Sequence, residues 1–556
     1  MRESKRSNGA KGKTTARTGV SLATVILLAA FLLFTTLPAA LASPDWSDPD
    51  WISTLSESNE YAFIAVDSAG TAHVVWFEWD VGEIWYNAGT PGDWPDPELL
   101  STHSDYWQED PRLALDPDDN VHVVWEGYDD AEDEYSIWYS TNAGGTWSDP
   151  VAISTQSTYS QYNARIAVGP DGKVNVVWEG YDAAGSEYWI WYASNAGGTW
   201  SDPVNISPDD NYPYYPEIAV DSTGAAHTVW HGHNYEIGID CDILYATNTG
   251  GTWSYPEFVS GIHEHSGSYW PSIAIDPSDN PHVVWEGYDD EDGYYYWIWY
   301  ATRAGGAWSD PYRLSTQSGY DQYDPKIAVG PDGSAHVVWY GYDAGGDYYQ
   351  VYYAGNSGGA WSAPVRLSTN LQYDQYDPQI RVGPEGKAHV VWYGYDADYY
   401  YYRVYYASNP GGAWTDPVLV SHQPEWDSYY AQIALDLCGN PHVVWDDYDS
   451  TTYEDDIWYS ADITQCIVRA AVEGGHGMVD PEMQAVPVGG TATIALIPDE
   501  GYRVGSVTDN GAAVEPTPTD VYTIENVTEY HEVVVTFVPA IADWYLAEGA
   551  TAGDFD

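Results

Sequence analysis

The string His-Val-Val-Trp, or a close relative of it, recurs through most of this 556-residue chain. Each copy belongs to a longer unit that also holds an "IAVD"-like, an "IWYA"-like and a "WSDPV"-like run, with turn sequences such as "GPDG" and "NAGG" between them. Four β-prone runs per unit are typical of a β-propeller blade. The copies lie 49 to 55 residues apart and end at Trp76, Trp125, Trp178, Trp230, Trp285, Trp339, Trp392 and Trp445.

The number of strands predicts how the ring closes. With the runs named strands A to D in chain order, eight A-B-C sets lie between Ala62 and Ser460, and no D strand follows the last set. The sequence "WSDPDWIST" at 46–54 matches "WSDPVAIST" at 147–155. We therefore expect an all-β fold, an eight-bladed propeller of four-stranded blades closed by the N-terminal strand, which leaves no exposed sheet edge at the junction.

The first 42 residues are typical of an export signal. Six basic residues lie within the first 17 positions, an apolar run follows at 20–37, and Ala40-Leu41-Ala42 provides a small-x-small cleavage pattern. We predict a signal peptide at 1–42 and the propeller at 43–465, which makes the protein secreted or cell-surface. The alternative that the apolar segment remains as a membrane anchor stays open.

The composition changes after the propeller. Tyr and Trp repeats stop, and 466–540 alternates β-prone runs with tight turns, as in "TATIALIPDEGYRVGSVTDNG". This segment resembles the small all-β bacterial extracellular repeat module related to the internalin B-repeat, which implies an adhesive or spacer unit. Residues 541–556 are typical of the start of a truncated further module, so we expect a monomeric propeller within a longer multidomain chain.

The charge limits the class of partner. The chain has 84 Asp and Glu against 18 Lys and Arg, a formal net charge of −66. Such a field repels nucleic acid and anionic lipid. We expect glycans or surface proteins as partners, no nucleic acid and no integral membrane domain after signal removal; solubility alone is the competing explanation for the charge.

The chain has three cysteines, so at most one disulfide forms within it. Cys438 lies in the predicted A-to-B turn of blade 8, and Cys466 lies just beyond strand C of that blade. A disulfide between them would stabilise the closure by roughly 3 kcal/mol; two unpaired thiols are the alternative.

The hairpin between strands C and D carries a recognisable motif. "STNAGGTW" at 140–147 resembles the Asp-box, or BNR repeat, of sialidase-like propellers, with Asn in place of Asp in most copies and Arg303 in one. In that family the box lies opposite the active site. We expect Asn142 and Trp147 to be scaffold, because residues repeated in every blade form a ring and cannot converge on one atom. The same argument assigns structural hydrogen bonds to the histidines of the main repeat: His73, His122, His227, His282, His336, His389 and His442.

The B-to-C and D-to-A loops share the other face, here called the upper face, and are rich in Tyr, Asp and Gln. Tyrosine stacks on sugar rings, and Asp or Gln binds sugar hydroxyls or a cation; packing between blades is the alternative. The candidate ligand-binding residues are Tyr106, Gln108, Tyr128, Asp129, Tyr159, Gln161, Tyr181, Asp182, Tyr288, Asp289, Tyr320, Gln322, Tyr342, Asp343, Tyr373, Gln375, Tyr395 and Asp396.

Blade 4 departs most from the repeat. "WHGHNYEIGIDCDI" and "SGIHEHSGSY" place His231 and His233 in one upper-face loop and His263 and His265 in another. Imidazole pairs of this kind suit zinc or copper. They are a candidate metal site, with unliganded surface histidines as the alternative. The cofactor expectation is none certain, with calcium or zinc possible.

An enzyme is the competing class. The resemblance to sialidases implies an arginine cluster, a tyrosine nucleophile with a glutamate, and an aspartate acid. Arg112, Arg165 and Lys326 are expected just before strand A near the upper rim, and Arg381 within strand A. The early Arg-Ile-Pro motif of the family is absent, and no catalytic residue can be assigned. We therefore expect a non-catalytic binding or adhesion module, with a sialidase-like glycoside hydrolase as the alternative.

Overall fold

The structure is a computed structural model. It describes residues 46–540 apart from 55–57, 103–106, 130–133, 209–210, 235–238, 262–266, 289–294, 318, 370–371, 397–399, 410–411, 422–425, 464 and 516–519. The expected signal peptide at 1–42 and the expected further module at 541–556 lie outside the described residues. Within the described part of the chain, no helix has the length and hydropathy of a membrane-spanning segment.

The described residues form eight antiparallel blades of four main strands, with one parallel bridge between Cys241 of blade 4 and Gly267 of blade 5, which confirms the predicted eight-bladed propeller. Strand A is innermost in each blade, and strands B, C and D follow outward. Blade 3 adds a short strand at Thr199–Trp200, and a 3-10 turn occupies Ser357–Gly359.

In blade order, the A strands are Asn59–Val66, Gln108–Leu115, Gln161–Val168, Asn211–Val220, Gly267–Ile275, Gln322–Val329, Gln375–Val382 and Asp427–Leu435. The B strands are Ala72–Glu78, Val121–Asp129, Val174–Tyr181, Ala226–Asn234, Pro281–Tyr288, Ala335–Tyr342, Ala388–Asp396 and Pro441–Asp449. The C strands are Glu83–Gly89, Glu134–Thr141, Tyr188–Ala196, Ile239–Thr247, Tyr296–Thr302, Tyr349–Gly355, Tyr401–Ser408 and Glu454–Ala461. The D strands of blades 1 to 7 are Glu98–Leu99, Val151–Ala152, Val204–Asn205, Glu257–Phe258, Tyr312–Arg313, Val365–Arg366 and Val418–Leu419.

The ring closes as the sequence predicts. The N-terminal strand Asp50–Trp51 is strand D of blade 8, where Asp50 pairs with Tyr459 and Trp51 with Trp458. Ile52, which is buried, packs with side chains of blades 1 and 8 in one hydrophobic cluster. The closure is therefore made by non-covalent contacts between the two ends of the propeller.

The tryptophan of the hairpin motif packs between neighbouring blades, in agreement with the expected scaffold role. Trp147 of blade 2 lies edge-on to Tyr86 of blade 1, with ring centroids 4.8 Å apart. The hydroxyl of Tyr86 lies 2.7 Å from Nδ1 of His73. Equivalent Trp, Tyr and His side chains repeat around the ring, with Asn175 replacing the histidine in blade 3, where it accepts a bond from Tyr192. The repeat histidines are thus hydrogen-bonded at the lower ends of the blades.

A second all-β module follows the propeller. One sheet has the order Met483–Pro487, Gln465–Glu473, His531–Pro539, Tyr502–Asp509 and Ala512–Ala513. The other has the order Gly477–Asp480, Gly490–Pro498 and Val521–Val527.

A disulfide joins Cys438 and Cys466. The expectation that this disulfide stabilises the closure of the ring needs correction, because Cys466 lies in Gln465–Glu473, the first strand of the module. Both cysteines pack into the hydrophobic core of the module, and Tyr530 N–H donates to Leu437 O at 2.9 Å. The disulfide therefore fixes the module to the turn of blade 8.

Candidate functional site

The four predicted glutamine ligands are buried, which corrects their assignment to a ligand-binding surface. Gln322 Oε1 accepts a hydrogen bond of 3.0 Å from the indole N–H of Trp339. The same contact fixes Trp125, Trp178 and Trp392. These side chains hold the repeat tryptophan of blades 2, 3, 6 and 7 and are inaccessible to a ligand. The four glutamines are Gln108, Gln161, Gln322 and Gln375.

Several predicted aspartates also serve the fold. Asp182 Oδ1 accepts the backbone N–H groups of Ala184 and Ser186 at 3.2 and 3.0 Å, which shapes its hairpin. Asp343 does the same in blade 6, accepting the N–H of Gly345 at 2.9 Å. Asp396 accepts a bond from the hydroxyl of Tyr405 at 2.8 Å. Asp129 is the last residue of a B strand, and its side chain lies outside the described residues. Tyr106 and Asp289 lie outside the described residues altogether.

The predicted tyrosines differ in exposure, and tyrosine–tyrosine contacts connect many of them. Tyr342 stacks on Tyr349 with centroids 4.3 Å apart, so packing accounts for part of the tyrosine content. The exposed ones are Tyr159, Tyr181 and Tyr320, and the half-buried ones are Tyr128, Tyr288, Tyr342, Tyr373 and Tyr395.

The metal hypothesis loses part of its basis. His231 does not lie in a loop: it is buried in strand B of blade 4, among the rings of Tyr215, Tyr269 and Trp270. Burial, and then the neighbouring His233, lower the pKa of His231 to about 3. His263 and His265 lie outside the described residues. Among the residues that are described, no group of three or more His, Cys, Asp or Glu is placed to hold a metal ion.

The central channel is lined by three levels of strand A side chains. Strand A is the innermost strand of each blade, so its side chains lie nearest the axis, and residues such as Ile64 and Ile166 pack in hydrophobic clusters between blades. The uppermost level, called the mouth ring, is Tyr61, Asp110, Asn163, Tyr215, Trp270, Asp324, Asp377 and Tyr430. Two residues further along lies the middle ring of Phe63, Arg112, Arg165, Glu217, Ser272, Lys326, Gln379 and Gln432.

All eight mouth-ring residues have left-handed backbone angles, with φ between 47° for Asp324 and 56° for Tyr61. A register shift in every A strand accompanies them, which is a β-bulge that re-aims the side chain. Asp and Asn adopt this conformation readily, but for Tyr and Trp it costs on the order of 1 kcal/mol or more. The bulge is therefore shared by all eight blades, whereas the residue that it presents differs among them.

The mouth ring has aromatic patches on opposite sides. Tyr61 and Tyr430, from blades 1 and 8, lie 5.1 Å apart between centroids. Tyr215 and Trp270, from blades 4 and 5, lie 4.1 Å apart. Tyr61, Tyr430 and Trp270 are 40%, 39% and 43% exposed. The two patches therefore face each other across the channel and are open to solvent.

Polar and charged side chains occupy the two sides of the channel that lie between the aromatic patches. On one side, Arg112 and Arg165 both contact Asp110, at 2.6 and 3.4 Å, and Arg165 also contacts Glu217 at 3.0 Å. On the other side, Lys326 forms an ion pair with Asp324. Asp377 is next to Asp324; burial first, and then the charge of Asp324, raise its pKa to about 6.

Buried carboxyls support the mouth ring from behind. Glu179 Oε1 accepts a bond of 2.7 Å from the amide of Asn163, and its other oxygen accepts the backbone N–H of Tyr215. Glu286 holds Asp324 in the same way, and Asp446 holds Tyr61, at 2.8 Å each. Burial raises the pKa of Glu179 to about 7 and that of Glu286 to about 8. Each carboxyl thus fixes the bulge of the next blade.

The arginines implied by the sialidase resemblance are only partly brought together. Arg112 and Arg165 lie within strand A rather than before it, and both are already paired with carboxylates. Arg381 lies one level lower, since it pairs with His389 where Arg112 pairs with Val124. A tyrosine–glutamate pair exists, with Tyr188 OH 3.2 Å from Glu179. Burial and Glu179 raise the pKa of Tyr188, which opposes a nucleophilic role.

The residues of the mouth ring were not among the candidates predicted from the sequence, although the sequence contains a signal for them. The letters between "Q" or "N" and "IAV" vary from blade to blade, whereas the flanking letters repeat. Variation at a fixed place within a repeat marks positions that are free to build one asymmetric site. The molecule is therefore an eight-bladed propeller whose variable residues converge on the mouth of its central channel.

No protein-family model matches the chain, and neither does any curated protein. Solved structures resemble it at low identity. An ulvan lyase of polysaccharide lyase family 25, bound to an oligosaccharide, has a TM-score of 0.43 and 11% identity over 62% of this chain and 90% of that one. A family 93 α-L-arabinofuranosidase of Fusarium graminearum has a TM-score of 0.37 and 15% identity over 58% of this chain and 98% of that one. These values describe a likeness of fold alone.

Proposed function

We propose that this protein is an exported propeller that binds glycans at its mouth ring without cleaving them. The observation that carries the proposal is the pair of opposed, solvent-open aromatic patches, Tyr61 with Tyr430 and Tyr215 with Trp270. Aromatic faces stack on sugar rings, and carboxylates and amides between them bind hydroxyl groups. Asp110, Asn163, Asp324 and Asp377 occupy those intervening positions.

Export is supported by two features. The N-terminal sequence is typical of a signal peptide. The Cys438–Cys466 disulfide fits an oxidising exterior. The module that the disulfide anchors resembles adhesive and spacer units, which suits a protein that presents a binding face outside the cell.

The test is glycan binding by a variant of one aromatic patch. Trp270→Ala removes an exposed stacking surface, so we expect affinity for a bound glycan to fall about tenfold, the loss of one stacking contact. Tyr400→Ala is the matched control, because Tyr400 is also exposed but lies in the B-to-C hairpin at the rim of blade 7. A glycan array read with both variants and the wild type measures this. Equal effects of the two substitutions, or binding only to surface proteins, would contradict the proposal.

Cleavage of the glycan is the second candidate, and Asp377 is the observation that favours it. Its carboxyl has a pKa of about 6 next to Asp324, and a general acid must keep its proton near neutral pH. Release of new reducing ends or unsaturated sugars from a bound glycan, lost in Asp377→Asn, would establish an enzyme. Binding that leaves the glycan intact over long incubation favours the non-catalytic function.

A further inference from the structure

A pair of tryptophans lies at the rim of the upper face. In blade 1 the hairpin between strands B and C occupies 79–82 and carries Trp79 and Val81, both of which are exposed, Trp79 to 47%. Trp107, just before strand A of blade 2, lies edge-on to Trp79 with ring centroids 5.3 Å apart. Both indoles contact the buried ring of Phe77, at 5.7 and 5.4 Å. Phe77, Trp79 and Trp107 are here called the rim patch.

Hydrogen bonds fix the backbone that carries the rim patch. The carboxylate of Glu78 accepts the backbone N–H of Asp80 at 2.7 Å, which shapes the hairpin. The backbone N–H of Trp79 donates to Ser58 O at 2.8 Å, which ties the hairpin to the segment before strand A. An exposed indole on a backbone that is already fixed loses little freedom when a ligand stacks on it. The rim patch is therefore arranged for binding before a ligand arrives.

The rim patch is continuous with the mouth ring. Phe77 pairs with Glu60, the residue directly before Tyr61 of the mouth ring. The indole N–H of Trp107 donates at 3.0 Å to Glu109, which directly precedes the mouth-ring residue of blade 2. A ligand that lies on the mouth ring can therefore extend onto the rim patch over surface that belongs to blades 1 and 2.

The charge near the rim patch favours a neutral ligand. Asp80 is exposed within the hairpin, and the half-buried Glu109 contacts Trp107. Carboxylates accept hydrogen bonds from sugar hydroxyl groups. A chain with a formal net charge of −66 also repels an acidic sugar. Aromatic faces bordered by carboxylates therefore suit sugars that carry hydroxyl groups alone.

We infer that the rim patch is a second sugar-binding subsite and that the ligand is a neutral, linear glycan of several sugar units, which lies on the mouth ring and continues over the rim between blades 1 and 2. The inference rests on the proposed glycan function and adds the substrate class. Trp79 is bonded to Ser58, three residues before Tyr61 and a rise of about 10 Å along the strand direction. One sugar ring does not reach both surfaces, so a longer glycan gains a stacking contact that a short one lacks.

The experiment varies the length and the charge of the glycan. Calorimetry measures the binding of cello-, xylo-, manno- and arabino-oligosaccharides of two and six sugar units, and of hexagalacturonate as an acidic chain. The proteins are the wild type, Trp79→Ala, Trp79→Phe and Trp270→Ala. Tyr453→Ala is the matched control, because Tyr453 is also exposed and lies in the equivalent hairpin of blade 8. Thermal unfolding of each variant checks that it folds.

We expect at least one neutral hexasaccharide to bind the wild type about tenfold more tightly than its disaccharide, the gain of one stacking contact. Trp79→Ala removes this difference, Trp79→Phe recovers part of it, and Tyr453→Ala leaves it unchanged. Trp270→Ala weakens the binding of both lengths, because it removes a stacking surface of the mouth ring.

Two results overturn the inference while leaving the glycan function intact, provided that binding still depends on Trp270. One is wild-type affinity of Trp79→Ala for every neutral hexasaccharide that the wild type binds. The other is tighter binding of hexagalacturonate than of any neutral hexasaccharide. Failure of the wild type to bind every one of these glycans contradicts the inference and the glycan function together.

Discussion

Residues that depart from the repeat can be explained by the residues that surround them. In blade 6 the hairpin residue Asn356 accepts the backbone N–H of Ala335, the first residue of strand B, at 2.6 Å. In blade 5 strand B begins with Pro281, which has no N–H to donate. The hairpin residue there is Arg303, which instead contacts Glu257 of blade 4 at 3.0 Å. Because Pro281 has no N–H group to bond, the side chain of Arg303 forms a contact between blades instead.

The glycine that lies two residues after the repeat tryptophan in blades 2 to 7 gives a prediction at the residue scale. A Cβ on Gly341 would lie 2.4 Å from the Gln322 side chain, which is held in place by Trp339. Gly341→Ala should therefore destabilise the propeller by about 1–3 kcal/mol through overpacking. Gly319→Ala is the control, because no atom lies within 4 Å of its Cβ position. A lower thermal midpoint for Gly341→Ala alone is expected; equal midpoints would show that Gln322 moves aside.

At the scale of elements, strand B of one blade holds strand A of the next. Glu286 accepts the N–H of Asp324 at 2.8 Å, so a buried carboxyl fixes the left-handed bulge across a blade boundary. This hydrogen bond between neighbouring sheets therefore sets the position of a mouth-ring residue. Because Phe77, His231, Tyr340 and Tyr393 occupy the same position in other blades, the support is uneven around the ring.

These buried carboxyls predict how stability depends on pH. Burial raises the pKa of Glu286 from 4.5 to about 8, so the native state keeps a proton that the unfolded chain releases between those values. Its contribution to stability is therefore complete below pH 4.5 and is lost as pH rises toward about 8. The thermal midpoint should fall between pH 5 and pH 8, and less steeply in Glu286→Gln than in wild type. Glu98→Gln, at an exposed position, should leave the slope unchanged.

At the scale of the whole molecule, closure depends on one short strand. Strand D of blade 8 comes from the opposite end of the propeller, whereas strand D of every other blade follows strand C through a hairpin. The chain connection therefore holds the seven ordinary D strands close to their partners. Blade 8 has packing and hydrogen bonds alone to hold its strand.

Matched isoleucines test this difference. Ile52 and Ile153 occupy equivalent buried positions, and their N–H groups donate to Ile457 and Ile137 at 3.0 and 2.8 Å. Each Ile→Ala substitution removes about 2–4 kcal/mol of packing. In Ile52→Ala we expect hydrogen exchange to accelerate across 46–54, because the untethered strand opens. Ile153→Ala should accelerate exchange less at 147–155. Similar exchange in both segments would mean that closure is no weaker than an ordinary blade.

The sequence by itself determined the strands, the number of blades and the closing strand, because each depends on a local pattern that is repeated with a fixed spacing. It also assigned the hairpin motif and the repeat histidines to the scaffold. It did not distinguish Gln322, which is buried against Trp339, from the exposed Tyr320 two residues before it. The local composition of the sequence does not show on which face of a bulged strand a side chain lies.

Only the tertiary structure decided which residues meet. Asp110, Arg165 and Glu217 come from three different blades, and their contacts arise from the ring that eight separate sheets form together. The left-handed bulges, set by hydrogen bonds from neighbouring blades, then aim eight variable side chains at one opening. Repetition in the sequence therefore specifies the ring, whereas long-range packing specifies the mouth of its channel, because contacts around an axis join residues that lie about fifty positions or more apart.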